Sequence, residues 1–293
     1  MILEMDTVNL QHRTYKLNIL YLVYRRLRPA FGLPLGFILM YGAYTGTLTL
    51  PLFIAGFGFF CIYLFGDCYN DCCDFSEDMR NARLDKMTIN GFLSVESMRN
   101  LSYLFLVTGF IALSFTDGLL LLFGGYYTLL IWAYSTPLIR LKRYNILGYI
   151  IGSSAFLFLP YFLNASVQGI YFTPNVALLS FFFFIQCIYI ACQKDSTDLK
   201  DDTNLFIDKE WRRVSFITLI FATLSSLFLF AICAGNIWLL FVWGINASSK
   251  ILNISKIWKR EINRELRSKF ILIEFLTPYL YLIFYLGGGV IGL

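Results

Sequence analysis

Charge is scarce in this chain: only 15% of its 293 residues are Asp, Glu, Lys or Arg, against 58% hydrophobic residues. A globule of this size needs far more polar surface to stay in water, so a soluble domain is excluded and an integral membrane protein is expected. Histidine occurs once, at position 12, and the seven cysteines lack the paired C-x-x-C spacing with a second ligand pair that marks a structural zinc site. Cys61, Cys187, Cys192 and Cys233 fall in apolar runs and read, with Cys68, Cys72 and Cys73, as small reduced residues. Also missing is a short N-terminal apolar stretch with a small-residue cleavage site. The first 18 residues, MILEMDTVNLQHRTYKLN, are polar and mixed in charge, so the first apolar run is expected to serve as its own insertion signal.

What the chain does have is a series of apolar runs, each close to the roughly 17–25 residues that cross a bilayer as a helix. They lie near 29–50, 51–70, 98–115, 118–137, 146–165, 174–193, 214–232, 235–249 and 271–291. The expected fold is an all-α membrane protein, a bundle of about nine transmembrane helices in a single domain over 1–293. Lys and Arg test this map independently, because cytoplasmic connections are enriched in them. They gather in the N-terminal segment and in or beside the connections after spans two, four, six and eight. That pattern sets the N-terminus inside and the C-terminus outside. It also accounts for the net charge of +5, and with no soluble basic domain to dock a duplex, nucleic acid is not an expected partner. Lys250 to Lys269 mixes Ile and Leu with seven basic residues, which suits an interfacial helix on the anionic cytoplasmic surface. Asn164-Ala165-Ser166 is a glycosylation sequon expected in an outside loop.

Against this apolar background two acidic clusters stand out. Residues 70–78 read NDCCDFSED, with Asp71, Asp74 and Asp78 at i, i+3 and i+7; in QKDSTDLKDD, Asp195, Asp198 and Asp202 repeat that spacing. Each set lies on one face of a helix, and each sits at the cytoplasmic end of an even-numbered span. A lone aspartate in lipid costs roughly 2.5–3.5 kcal/mol, so the clusters need partners. A proton relay would string acids through the membrane depth, whereas these gather at one level. Two opposed carboxylate faces suit hard divalent ions better. Mg2+ takes only one or two carboxylates per ion and leaves its other positions to water and phosphate oxygens, so two clusters can hold ions around a diphosphate. The plainer reading is solvated interfacial acids balanced by Arg80, Arg83, Lys86, Lys194 and Lys200, but it leaves the repeated spacing unexplained.

These residues resemble the signature of the UbiA superfamily of intramembrane prenyltransferases. The N-D-x-x-D-x-x-x-D pattern at Asn70 to Asp78 and D-x-x-D-x-x-x-D at Asp195 to Asp202 are joined by Asn81, Asp85, Gly91 and Ser94 in NARLDKMTINGFLS. Arg28-Pro29 resembles the family's first-helix Arg-Pro, and YSTPLIRLK resembles its segment after span four, giving Tyr134, Ser135 and Lys142. The resemblance implies Mg2+ held by Asp71, Asp74, Asp78, Asp195, Asp198 and Asp202 around an isoprenyl diphosphate. It implies Asn70, Arg28, Tyr134, Lys142 and Lys194 as substrate-binding residues. It also implies a prenyl tail in an apolar tunnel open to membrane lipid, in a multi-pass protein of the inner membrane whose active site faces the cytoplasm. This chain departs from the family where Asp-Arg-Pro-Leu-Pro is replaced by Asp85-Lys86-Met87-Thr88-Ile89, and where Asp201 stands in place of glycine.

Ionising an allylic diphosphate yields a carbocation, which the site must shield from water and which aromatic faces can stabilise. The chain offers 30 Phe and 19 Tyr, including four consecutive Phe at 181–184. Capture by an aromatic or lipid acceptor makes the protein a prenyltransferase, the expected activity. Capture by an internal double bond makes it a terpene cyclase of the same superfamily. An ion-coupled transporter would instead place charges near the midplane of discontinuous helices.

Overall fold

The computed structural model describes residues 19–80, 83, 86–144, 146–202 and 208–290; the side chains of 19–22, 25, 194–202, 208–210, 264 and 288–290 lie outside that description. Among the described residues every regular element is helical. Helix α1 (Ile19–Ala30) passes through a π-helical turn (Phe31–Leu35) into α2 (Gly36–Thr45). Pro29, just before that turn, and Pro34, within it, lack the N–H needed for an i→i−4 bond, which accounts for the local widening. Gly32 lies within the turn because the last helix, α11 (Arg264–Val290), presses on it: a Cβ there would meet the Phe275 ring at 2.3 Å. Gly46, at φ 68°, closes α2 in the left-handed conformation that glycine adopts without strain.

After α3 (Leu50–Cys73), started by Pro51, come the short α4 (Phe75–Arg80), α5 (Val95–Ser114), α6 (Gly118–Ser135) and α7 (Ile146–Gln168). The rest of the bundle is α8 (Pro174–Asp202), α9 (Asp208–Cys233), α10 (Ile237–Trp258) and α11 (Arg264–Val290). Seven of these, α3 and α6 to α11, contain a stretch long and apolar enough to cross a membrane. The protein is therefore an all-helical, multi-pass integral membrane protein. Helix α5 carries Glu96 and Arg99 near its start, and the α1–α2 path is broken by its π turn, so these two fall outside that set.

Large apolar residues cover the outside of the bundle, as on α5, where Leu104, Val107 and Ile111 form an exposed stripe. The interior is aromatic: Phe37 of α2 stacks on Phe183 of α8 at 4.6 Å and meets Phe156 of α7 edge-on. Helix α5 lies along α3, and the crossing depends on Gly58 and Gly109, since a Cβ on Gly109 would sit 2.9 Å from the Gly58 carbonyl oxygen. Small residues allow such backbone approach where apolar burial no longer discriminates protein from lipid.

Three local expectations from the sequence are corrected. The first acidic cluster does not lie on one continuous helix: α3 ends at Cys73, Asp74 is its C-cap, and Asp78 belongs to α4. A helix C-terminus carries partial negative charge, so consecutive acids there disfavour continuation. The stretch from Lys250 to Lys269 is not one interfacial helix. It divides into the end of α10, a non-helical break at 259–263 and the start of α11, and Lys250 is buried within the bundle. Asn164 is not in a loop; it is buried in α7, where its side chain accepts from the Tyr41 hydroxyl at 3.1 Å.

Candidate active site

Helices α1, α3, α6, α7, α8 and α11 enclose a cavity of about 380 Å3 with a mixed lining. At one end α3 presents Tyr63, Asp67 and Asn70, at i, i+4 and i+7, beside Tyr134 and Ser135 at the end of α6. Leu33, Phe156, Ile271 and Phe275 supply the apolar part of the lining, with the Tyr127 ring against Phe156. Close approach of α3 and α6 narrows the space, because Gly66 faces Ile131 where a Cβ would lie at 2.4 Å.

The polar mouth is an ion-pair network built from five segments: α1, α3, α4 and the connections after α4 and α6. Asp67 accepts from Arg26 Nη1 of α1 at 2.7 Å, and the other terminal nitrogen of Arg26 donates to Asp71. Lys86, in the connection after α4, reaches the second oxygen of Asp71 at 2.6 Å. Asp71 is fully buried and is not among the cavity-lining residues. Asp74 pairs with Lys142 and with Arg140 at 3.2 Å, and Arg140 also pairs with Glu77. Asn70 Oδ1 accepts from Lys142 Nζ and from Ser135 Oγ, each at 3.1 Å, so Asn70 ties the cavity wall to this network. Arg140 holds φ 46°, an uncommon conformation for a residue with a Cβ; such backbone is retained where the surroundings over-determine it.

Asp78 is buried on α4, where burial pushes its carboxyl above the ordinary range against the opposing pull of Lys86 and Arg83. For Lys86 burial works against the charge, but Asp71 and Asp67 outweigh it and hold the ammonium above its usual value. On the far wall Arg28 donates to Ser268 Oγ at 2.8 Å and lies 5.8 Å from the Tyr24 ring and 5.9 Å from the Phe275 ring. Positions 26 and 28 point about 200° apart on a helix, which is why these two arginines serve α3 and α11 separately.

The structure thus brings together Asn70, Asp74, Tyr134 and Lys142 at the mouth, puts Arg28 on the opposite wall, and sets Asp71 and Asp78 behind the lining. Lys194, Asp195, Asp198 and Asp202 belong to the C-terminal end of α8, with side chains outside the described residues. Their positions continue the α8 face of Cys187 and Ala191, which line the cavity. Among the described residues no three His, Cys, Asp or Glu side chains converge on one point. Sequence reasoning missed Asp67, Arg26, Arg140 and Arg267. Asp67 was the most accessible of these, since it stands one turn before Asp71 on the same face. The other three are recognised only through partners or cavity walls supplied by distant segments.

An all-helical membrane protein with a charged mouth above an aromatic and apolar cavity defines the class. The particular assignment follows from comparison: the UbiA prenyltransferase family model matches residues 32–276. The chain belongs to the UbiA prenyltransferase family and is an intramembrane prenyltransferase in that general sense. The fold is similar to a UbiA homologue from Aeropyrum pernix K1, with TM-score 0.60 and 15% identity over 88% of this chain and 97% of that one. It is also similar to a structure described as giving insights into digeranylgeranylglyceryl phosphate synthase in membranes, with TM-score 0.53 and 19% identity over 92% of this chain and 96% of that one. No curated protein gives a significant match.

Proposed function

We propose that the protein is a Mg2+-dependent prenyltransferase that ionises an isoprenyl diphosphate and passes the prenyl group to an aromatic or lipid acceptor. The observation that carries this is the mixed lining of the cavity: Arg28, Arg267, Asp67 and Asn70 supply cations and oxygen donors, four tyrosines supply rings, and Leu33, Phe156, Ile271 and Phe275 supply apolar surface. Lys142, Arg140 and, across the cavity, Arg28 are placed to bind the anionic diphosphate and neutralise the charge that grows on it as the carbon–oxygen bond breaks. The rings of Tyr63, Tyr127, Tyr134 and Tyr149 line the space where the allylic cation forms and exclude water from it.

The donors on this side suit a hard cation, because Asn70, Asp74 and Asp67 all offer oxygen and Asn70 and Asp74 share Lys142. Asn70 and Asp74 would hold one ion and Asp195, Asp198 and Asp202 a second, while Asp71 and Asp78 support the shell from behind. Bound Mg2+ supplies Lewis-acid stabilisation of the leaving diphosphate. The broken α1–α2 path and α5 complete nine spans, with the N-terminus and the site on the cytoplasmic side of the inner membrane. The links 46–49, 115–117, 169–173 and 234–236 hold no Lys or Arg, which supports this topology.

The test is product analysis of the purified protein in nanodiscs with a panel of isoprenyl diphosphates, with and without acceptors, in Mg2+ or chelator. The expected result is a prenylated acceptor formed only with Mg2+. A cyclic hydrocarbon released without acceptor would replace transfer with cyclisation, and cation flux without turnover would point to a transporter.

A further inference from the structure

Behind the cavity wall, inside the apolar spans, lies a second group of charges that the site does not use. Lys250 of α10 is 2% exposed and Glu274 of α11 is 1% exposed. An ionisable side chain at such a position is costly, and where it is kept it calls for a functional explanation. The pair is not in direct hydrogen-bond contact, since Lys250 Nζ lies 3.6 Å from Glu274 Oε2. Neutral groups from all four neighbouring helices join them. Lys250 donates to Asn246 Oδ1 at 2.8 Å, to Ser225 Oγ of α9 at 2.9 Å and to Gln186 Oε1 of α8 at 3.0 Å. Glu274 accepts from the side-chain amides of Gln186 and, at 2.7 Å, of Asn246, which also donates to Thr277 at 2.9 Å.

Gln186 therefore uses both ends of its amide, accepting from α9 and α10 while donating to α11. Directional bonds of this kind fix axial register, whereas apolar packing of the same volume tolerates sliding. The neighbours in sequence show what that register controls. Cys187, next to Gln186, and Phe275, next to Glu274, both line the cavity. Nine residues beyond Gln186 on the same helix, about 14 Å along its axis, begins the second acidic motif.

We infer that Lys250, Glu274 and Gln186 are positioning residues: their buried hydrogen-bonded cluster locks the register of α8 against α11. The lock sets the cavity wall at Cys187 and Phe275 and the height of Asp195, Asp198 and Asp202 above it. The catalytic part of this inference rests on the prenyl-transfer reading. A slip of one residue is about 1.5 Å, and a misplacement of about 1 Å in a catalytic site can cost on the order of a hundredfold in rate.

The test compares two uncharged pairs of near-native size, the double variants K250M/E274M and K250Q/E274Q, because breaking one partner alone strands a buried charge and destabilises the fold strongly, which would mask the register effect. Both pairs are expected to insert; the methionine pair, which leaves the Gln186 and Asn246 amides short of partners, is expected to melt lower than the glutamine pair, which should melt near the wild type. In the methionine pair, hydrogen exchange of the α8 amides around 183–193 should rise about tenfold, and KM for the isoprenyl diphosphate should rise about tenfold with a smaller change in kcat. The glutamine pair restores hydrogen bonds without charge and should return both quantities to within about threefold of wild type. A methionine pair with wild-type exchange and KM would overturn the inference, as would a glutamine pair as impaired as the methionine pair. Absence of turnover in the wild type would count against prenyl transfer, while the exchange data alone would still decide whether the register lock exists.

Discussion

At the mouth of the cavity Asp67, Asp71, Asp74 and Glu77 face four cations, Arg26, Lys86, Arg140 and Lys142, drawn from α1 and from two connections. In the bundle interior Glu274 faces one cation and is held mainly by amides. The cations of the mouth keep 13–21% of their side chains exposed, against 3% for Lys250. Partial exposure makes the outer pairs exchangeable, so an incoming diphosphate can take over their cations without stranding a charge in low dielectric. The inner pair has no such exchange available, and its directional bonds suit it to holding helices. Asp71 is the exception that joins the two types, being fully buried yet part of the outer network.

That exception supplies the largest expected effect. Asp71→Ala removes the shared acceptor of Arg26 and Lys86, and breaking a buried pair on one side costs about 3–5 kcal/mol. Thermal unfolding in detergent should show the loss directly. Asp74→Asn should behave oppositely. It retains shape and leaves partly exposed cations, so the fold should change by no more than about 1 kcal/mol, while prenyl transfer should fall on the order of a hundredfold if, as proposed, Asp74 contacts metal and diphosphate. If the Asp71 variant melted normally and the Asp74 variant unfolded, the division between structural and exchangeable acids would be wrong. A smaller effect is expected for Lys142→Ala. KM for the diphosphate should rise about tenfold with kcat changed less, as for loss of a contact present before and during the reaction.

These differences also explain what the sequence could reveal. The membrane bundle was legible because an apolar run near 20 residues has few alternatives, and 174–193 matches the apolar part of α8 at both ends. Gly91 and Ser94 were legible only through the family resemblance, and the structure shows the local requirements behind them: Gly91 adopts φ 76° and Ser94 caps α5. Asp74 was legible from its spacing and Asn70 and Lys142 through the family resemblance, and the structure brings the three within one hydrogen-bonded group. Lys250 was misread because its sequence neighbours are basic and amphipathic, while the residue that explains it, Glu274, lies on another helix. Asn164 was misread for the same reason: a sequon is a local pattern, and burial against Tyr41 is a tertiary fact. The break at Asp74 was missed because the i, i+3, i+7 spacing assumes a continuous helix, an assumption that acids at a helix C-terminus undermine.

The smallest expected effect asks how far the mouth acts as one unit. Ser94 Oγ accepts from the Ser97 backbone N–H at 3.0 Å and so satisfies one of the open donors at the start of α5. The chain just before it, from Lys86 through Gly91, is held by the Leu93 N–H donating to the Met87 carbonyl at 3.1 Å, and it delivers Lys86 to Asp71. Ser94→Ala should cost about 1 kcal/mol, and Ser94→Asp should recover it, since aspartate caps as well as serine. If the cap serves only the helix, KM for the diphosphate should remain within about twofold in both variants, because Lys86 is anchored by charge rather than by the turn. A KM that rises in Ser94→Ala and recovers in Ser94→Asp would instead show that the cap sets the position of Lys86. The outer charges would then be positioned as tightly as the inner ones, and their partial exposure would no longer mark them as exchangeable.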